Sequence, residues 1–210
     1  IVEWGNRISF AYFTKKGYSK EALIGLAEDV CVNDQQACSA PQIVYYESDT
    51  KEELIQFAET FTKILQNVSD KYPLHEISSA EHAELTTQKQ LCYLDEIMGE
   101  AKLMDAEGCR VFVRFDEELS ASPLFRTVIV KPIKRNNLIS VLRPFRSYLQ
   151  SVGLACAKEE IAQLSTLLYA GGVSRITEPG AMMSGYTGEP HDGVYAMTQY
   201  LKRVSLINNN

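Results

Sequence analysis

The chain has 210 residues, with 27 Asp and Glu against 21 Lys and Arg and a formal net charge of −6. That length suits one domain with a sizeable core, and the acidic balance argues against a nucleic-acid partner, which would meet a basic face. No apolar run approaches a membrane span, and no signal-peptide pattern opens the sequence.

Ile8 to Phe13 reads as a first strand. Lys15-Lys16-Gly17-Tyr18 turns into an amphipathic helix over 19–32, where Ala22, Leu23, Leu26, Ala27 and Val30 recur at intervals of three and four. A polar turn from Asn33 to Gln42 then leads into the buried strand Ile43 to Tyr46. Thr50-Lys51-Glu52-Glu53 has the form of a capping box. It opens a helix to Ser69 whose apolar face is Leu54, Phe57, Ala58, Phe61, Ile64 and Leu65. A third helix follows Ser78-Ser79 and runs to Met98, with Ala83, Leu91, Leu94 and Met98 inward; its polarity suits the surface. Strands are expected at 110–115 and 127–130, and a short helix at 138–143. Residues 148–155 make another strand, and 158–170 a helix closed by Gly171-Gly172. A short strand at 173–176 and a helix at 194–204 finish the chain. The alternation of strand and helix predicts a three-layer α/β domain with a largely parallel sheet.

Five cysteines, Cys31, Cys38, Cys92, Cys109 and Cys156, are odd in number and lack CxxC spacing. They indicate neither a disulfide framework nor a zinc site, and suit a reduced, cytoplasmic protein. Four fall in helical or strand patterns and read as inert core residues. Cys38 differs: it sits on the polar helix-to-strand turn, close to the pre-proline Ala40. A loop thiol between two rigid elements can be reached and aimed, as a nucleophile must be. A small Cys filling a core gap is the other reading, and the residue pattern leaves both open. Pro190-His191-Asp192-Gly193 lies among Gly180, Gly185 and Gly188 and reads as a shaped loop. His191 there can trade protons near neutral pH, or Asp192 caps the last helix with His191 merely beside it. His75 and His82 lie on polar segments and default to solvent. Arg126, just before a strand, either binds a phosphate or pairs with a carboxylate such as Asp116.

Gln35-Gln36-Ala37-Cys38-Ser39-Ala40-Pro41, followed by a strand, resembles the nucleophile loop of the aldehyde dehydrogenase superfamily. Upstream, Val2-Glu3-Trp4-Gly5-Asn6-Arg7-Ile8-Ser9 resembles the segment that carries that superfamily's general-base Glu. Near the other end, Gly172-Val173-Ser174-Arg175-Ile176, Pro179-Gly180-Ala181-Met182 and Pro190-His191-Asp192-Gly193 are similar to the end of the long-chain acyl-CoA reductases. Those are the fatty-acid reductase subunits of bacterial bioluminescence. The three matches fall in family order and span almost the whole chain.

The resemblance implies an aldehyde-dehydrogenase-like catalytic domain over 1–210. The sequence begins without Met at Ile1 and has no Gly-rich phosphate turn, so the upstream nucleotide-binding domain is expected to be absent from this chain. It implies Cys38 as the thioester nucleophile, Glu3 and His191 as further catalytic candidates, and Arg126 as a ligand to a phosphate of coenzyme A or NADP. The expected chemistry is NADPH-dependent reduction of fatty acyl-CoA to aldehyde, with NADPH held mainly by the absent domain. A homo-oligomer and an acyl-transferring protein are the implied partners. Two other functions stay open on the residues: an aldehyde dehydrogenase running towards the acid, which Glu3 supports, and a non-catalytic oligomerisation or docking domain.

Overall fold

Alternate residues of the central strands face opposite layers, as the two-residue period of a strand requires. The computed structural model describes residues 7–202 together with Val204 and Ser205. Its strands are β1 (Ile8–Phe13), β2 (Pro41–Tyr46), β3 (Ala101–Ala106), β4 (Cys109–Arg114), β5 (Thr127–Pro132), β6 (Leu149–Ala155) and β7 (Arg175–Thr177). They form one sheet in the order β3-β4-β5-β2-β1-β6-β7. Every pairing is parallel except β3 with β4, which is antiparallel.

On one face Ala11, Phe13, Val44, Val113 and Val130 meet α1 (Lys20–Cys31) and α2 (Lys51–Ser69), through Leu23, Leu26 and Val30 and through Phe57, Phe61 and Leu65. On the other, Phe10, Tyr12, Ile43, Tyr45 and Ile129 meet α4 (Leu138–Leu142) and α5 (Ile161–Gly171), through Leu138, Leu142, Leu164 and Leu168. Cys92 of α3 (Ser79–Ile97) joins that second core. The result is the three-layer α/β domain with a largely parallel sheet. No helix among the described residues is long and apolar enough to cross a membrane.

Several local expectations need correction. Thr50 does cap α2 by accepting from Glu53 N at 3.1 Å, but the Glu53 carboxylate turns to Asp49 N and Lys15 instead of closing the box. The reciprocal box stands at α3, between Ser78 and Glu81. Along α3, Ala83, Leu91, Leu94 and Met98 face solvent, and the buried positions are Leu85 and Cys92. A helix lying on the sheet edge buries one narrow stripe, and seven residues apart is the spacing of such a stripe. β3 was not expected at all; it makes a hairpin with β4 around Gly108, whose φ of 75° suits glycine. The final helix is only α6 (Ala196–Tyr200), and α5 is preceded by a 3-10 turn over Lys158–Glu160.

Candidate active site

Helix α1 ends at Cys31, and the chain then reverses through two left-handed residues, Asp34 (φ 47°) and Gln35 (φ 62°). Such backbone is strained for residues with a side chain and persists only when its surroundings hold it. Here Asp34 Oδ1 accepts from Arg126 Nε, and Asp34 Oδ2 accepts from the His75 amide at 3.0 Å and from its ring Nδ1 at 2.6 Å. Burial alone would push the Asp34 carboxyl up. The His75 and Arg126 bonds outweigh it and hold the group below its ordinary value. Gln35 Nε2 donates to Pro41 O at 2.9 Å, stapling the turn across its middle.

Cys38 lies within that staple. Its carbonyl accepts from Ser9 Oγ at 2.7 Å, and Ser9 Oγ in turn accepts from Ser151 N at 3.1 Å, so residues early in β1 and β6 fix the turn from below. Ser39 Oγ lies 3.4 Å from Met183 Sδ. Cys38 is exposed, Cys156 is half-buried, and Cys31, Cys92 and Cys109 are buried. Burial pushes the Cys31 thiol up to about 12 and those of Cys92 and Cys109 up to about 11. Those thiols stay protonated and inert, as core cysteines should.

Two cavities meet at Cys38. The smaller, about 200 Å³, is lined by Ser39, Ser151, Met182, Met183, His191 and Asp192 among others. The larger, about 610 Å³, is lined by Arg7, Gln35, Gln42, Ser122, Leu124 and Tyr148 among others. The wall of the smaller cavity hangs from α1. Asp29 accepts from Gly180 N at 2.5 Å and from Met182 N at 3.2 Å, and its burial raises the carboxyl to about 6. A Cβ on Gly25 would stand 2.5 Å from Pro179 O, so helix and loop touch backbone to backbone.

His191 lines the same cavity as Cys38, its ring half-exposed and Nε2 3.9 Å from Asp192 Oδ2. Asp192 is no helix cap: it accepts from Arg7 Nε at 2.8 Å and Gln150 Nε2 at 2.6 Å, and α6 starts at Ala196 without a side-chain cap. Glu3 lies outside the described residues. His75, expected in solvent, keeps a half-exposed ring that is nevertheless tied to Asp34.

Arg126 needs the largest correction. It is 0% exposed and follows two further left-handed residues, Leu124 (φ 65°) and Phe125 (φ 51°). Besides Asp34, its guanidinium donates to Ser69 Oγ at 2.6 Å, Ser69 O at 3.0 Å and Pro73 O at 2.9 Å. Every donor edge is committed inside the protein, which leaves none for a phosphate. Its carboxylate partner is Asp34, while Asp116 pairs with Lys131 at 2.6 Å. Asp34, Ser9, Asp29 and Ser151 were not singled out from the sequence. The one available signal was the pair of polar residues, Asp34-Gln35, in the turn before Cys38.

A buried-sheet domain that aims a loop cysteine between two cavities has the fold of the aldehyde dehydrogenases. Glyceraldehyde-3-phosphate dehydrogenase GapN from Methanocaldococcus jannaschii superposes with a TM-score of 0.64, covering 90% of this chain and 43% of its own at 11% identity. The indole-3-acetaldehyde dehydrogenase AldA of P. syringae gives 0.65 over 89% of this chain and 40% of its own, at 9% identity. Sequence is more specific: the acyl-CoA reductase (LuxC) family model matches residues 1–203, and the chain belongs to that family. Curated relatives include long-chain acyl-protein thioester reductase 2 of Photobacterium leiognathi, 25% identical over 98% of this chain. The long-chain acyl-protein thioester reductase of Aliivibrio fischeri is 28% identical over 97%. The chain spans about 41% of the length of each.

Proposed function

We propose that this chain is the nucleophile-bearing part of an enzyme that reduces fatty acyl thioesters, acyl-CoA among them, to aldehydes. The observation that carries the reading is the placement of Cys38, the exposed cysteine, at the junction of two cavities and on a turn held by the side chains of Ser9, Asp34, Gln35, His75 and Arg126. Its thiolate attacks the acyl carbonyl carbon; the carbon–sulfur bond to the carrier breaks, and the carrier leaves as a thiol. When bound, NADPH would supply the hydride that the thioester carbonyl needs. When that carbon has been reduced, its bond to Cys38 Sγ breaks, giving the aldehyde and the free Cys38 sulfur.

The chain's own residues divide the remaining work. His191, across the smaller cavity, exchanges the thiol proton. The Cys38 amide donates to the carbonyl oxygen as it gains charge. Glu3 occupies the base position of the resembling motif. A reductase holds its thioester for hydride, so any role of Glu3 is confined to proton handling rather than to activating water. Arg126, its donors spent on Asp34, Ser69 and Pro73, is not available to the nucleotide phosphate.

The test is incubation of the full-length protein with radiolabelled acyl-CoA, followed by peptide mapping. The label is expected on the peptide carrying Cys38 and is lost in Cys38→Ser. Label on Cys31 or Cys156, with Cys38→Ser still acylated, would overturn the assignment.

A further inference from the structure

Asp29 stands where a carboxylate is least expected. It is 3% exposed, in the last turn of α1, beside the buried Leu26 and Val30. Burial disfavours its charge, and the carbonyl end of a helix disfavours a negative charge as well. Its partners are backbone amides from far along the chain, Gly180 N at 2.5 Å and Met182 N at 3.2 Å, rather than a cation. The loop that the carboxylate holds accounts for it; the helix that carries it does not.

That loop is tethered twice. Arg175 of β7 donates to Met182 O at 2.7 Å and to Ser184 O, and its Nε grips Glu189 at 2.7 Å. Those contacts are local and fix the loop's own shape. Asp29 instead ties the loop to the helix whose end leads into the Cys38 turn. The fit is close: a Cβ on Gly25 would stand 2.5 Å from Pro179 O, and one on Gly180 would stand 3.0 Å from Gly25 Cα. Met182 is buried, and Met183 Sδ lies 3.4 Å from Ser39 Oγ, so both side the smaller cavity next to Cys38.

We propose that Asp29 is a positioning residue for the Cys38 reaction. By holding the Gly180 and Met182 amides it sets the gap between Met183 and the nucleophile turn, where the acyl carbonyl is aligned with Cys38 Sγ. The inference rests on Cys38 being the acylated nucleophile. Asp29 touches neither the substrate nor its protons; it acts through Met183. In Asp29→Asn one acceptor remains, but the new NH2 group faces a backbone N–H, so the loop moves off α1. Displacement of a reacting group by about 1 Å can slow a reaction by ~10²-fold.

The experiment measures single-turnover acylation of the full-length protein by octanoyl-CoA, with mass spectrometry of the Cys38 peptide across a range of concentrations. It yields a maximal rate constant, a half-saturating concentration and an end point. Alkylation of Cys38 by iodoacetamide reports the thiol alone. In Asp29→Asn the maximal rate constant should fall at least about tenfold, while half-saturation and alkylation stay within about twofold. Gly25→Ala keeps the carboxylate and favours the helix, yet its methyl group wedges the loop away, and the same loss is expected. Met183→Ala, at a half-buried position, removes the wall without touching the tether and should also slow acylation. The double variant Asp29→Asn with Met183→Ala should be no slower than the slower single one, because both act through one side chain.

A role in folding alone would lower the end point and leave the rate constant unchanged. That outcome in Asp29→Asn or, should it not fold, in Gly25→Ala, overturns the inference. So does an equal fall in alkylation, which would place the effect on the thiol, and so do additive losses in the double variant. Failure of the parent to acylate Cys38 overturns the nucleophile assignment instead, and this inference with it.

Discussion

Two buried aspartates near Cys38 titrate in opposite senses, and their partners explain why. Asp34 is held below its ordinary value by His75 and Arg126, so its folded pKa lies under its unfolded one. Its contribution to stability is present above the unfolded value and is lost as pH falls through the folded one, in the acid range. Asp29 is raised by burial to about 6, against 3.8 unfolded. Its contribution is complete below about pH 4 and lost as pH rises through about 6. Asp29→Asn should therefore flatten any decline in unfolding free energy between pH 4 and 7, as measured by urea titration. An unaltered slope would mean that the carboxylate is well solvated by its backbone donors. The Arg126–Asp34 pair is 0% and 2% exposed at its side chains, and removing one partner strands a buried charge. Arg126→Met is expected to cost about 3–5 kcal/mol, whereas the double variant Arg126→Met with Asp34→Asn should recover much of it. Equal losses in single and double variants would show that the Ser69 and Pro73 contacts, not the charge pair, carry the cost.

At the scale of elements, α3 separates what a sequence pattern can convey from what it cannot. Its polar composition signalled a surface helix, but the helix repeat alone did not choose which of its apolar residues faced the sheet. Leu85 and Cys92 do, while Leu94 is 53% exposed. Leu85→Ala should then cost about 2–5 kcal/mol, and Leu94→Lys should stay within about 0.5 kcal/mol, both by chemical denaturation. The reverse order would restore the inward face read from the sequence. Strands β1, β2, β5 and β6 were legible because they are buried on both faces and therefore mostly apolar. β3 was not, because it is an edge strand with Lys102 and Asp105 among its six residues. The site shows the same division. Cys38 could be found from its own turn, but the residues that hold the turn lie far away in sequence. Arg126 is 92 residues from Asp34, and Gly180 N is 151 from Asp29. No local periodicity encodes such pairs.

For the molecule as a whole, the two ends of the sheet do different work. Ligands of open α/β sheets usually sit beyond the carboxyl ends of the strands. Here Cys38 precedes β2, Ser122 precedes β5, and Ser9 and Ser151 lie early in β1 and β6, so Cys38 and both cavities beside it lie at the amino end. The opposite end is closed by charge. Arg135, after β5, grips Glu47 through Nε and Nη2 at 2.7 and 2.9 Å and Glu160 at 2.6 Å; Tyr12 donates to Glu47 and Thr14 to Glu160. One guanidinium thus ties the ends of four neighbouring strands, β5, β2, β1 and β6. The network is partly solvated, so its loss falls between an exposed pair and a buried one, at about 2 kcal/mol. For a chain of this size that corresponds to a fall in melting temperature of roughly 4–8 °C in Arg135→Met. Because the network and Cys38 sit at opposite ends of a stiff parallel sheet, acylation of Cys38 per folded molecule should stay within about twofold of the parent, as expected for distant, independent sites. A tenfold fall in acylation with an unchanged melting temperature would mean that the carboxyl end, not the amino end, shapes the site.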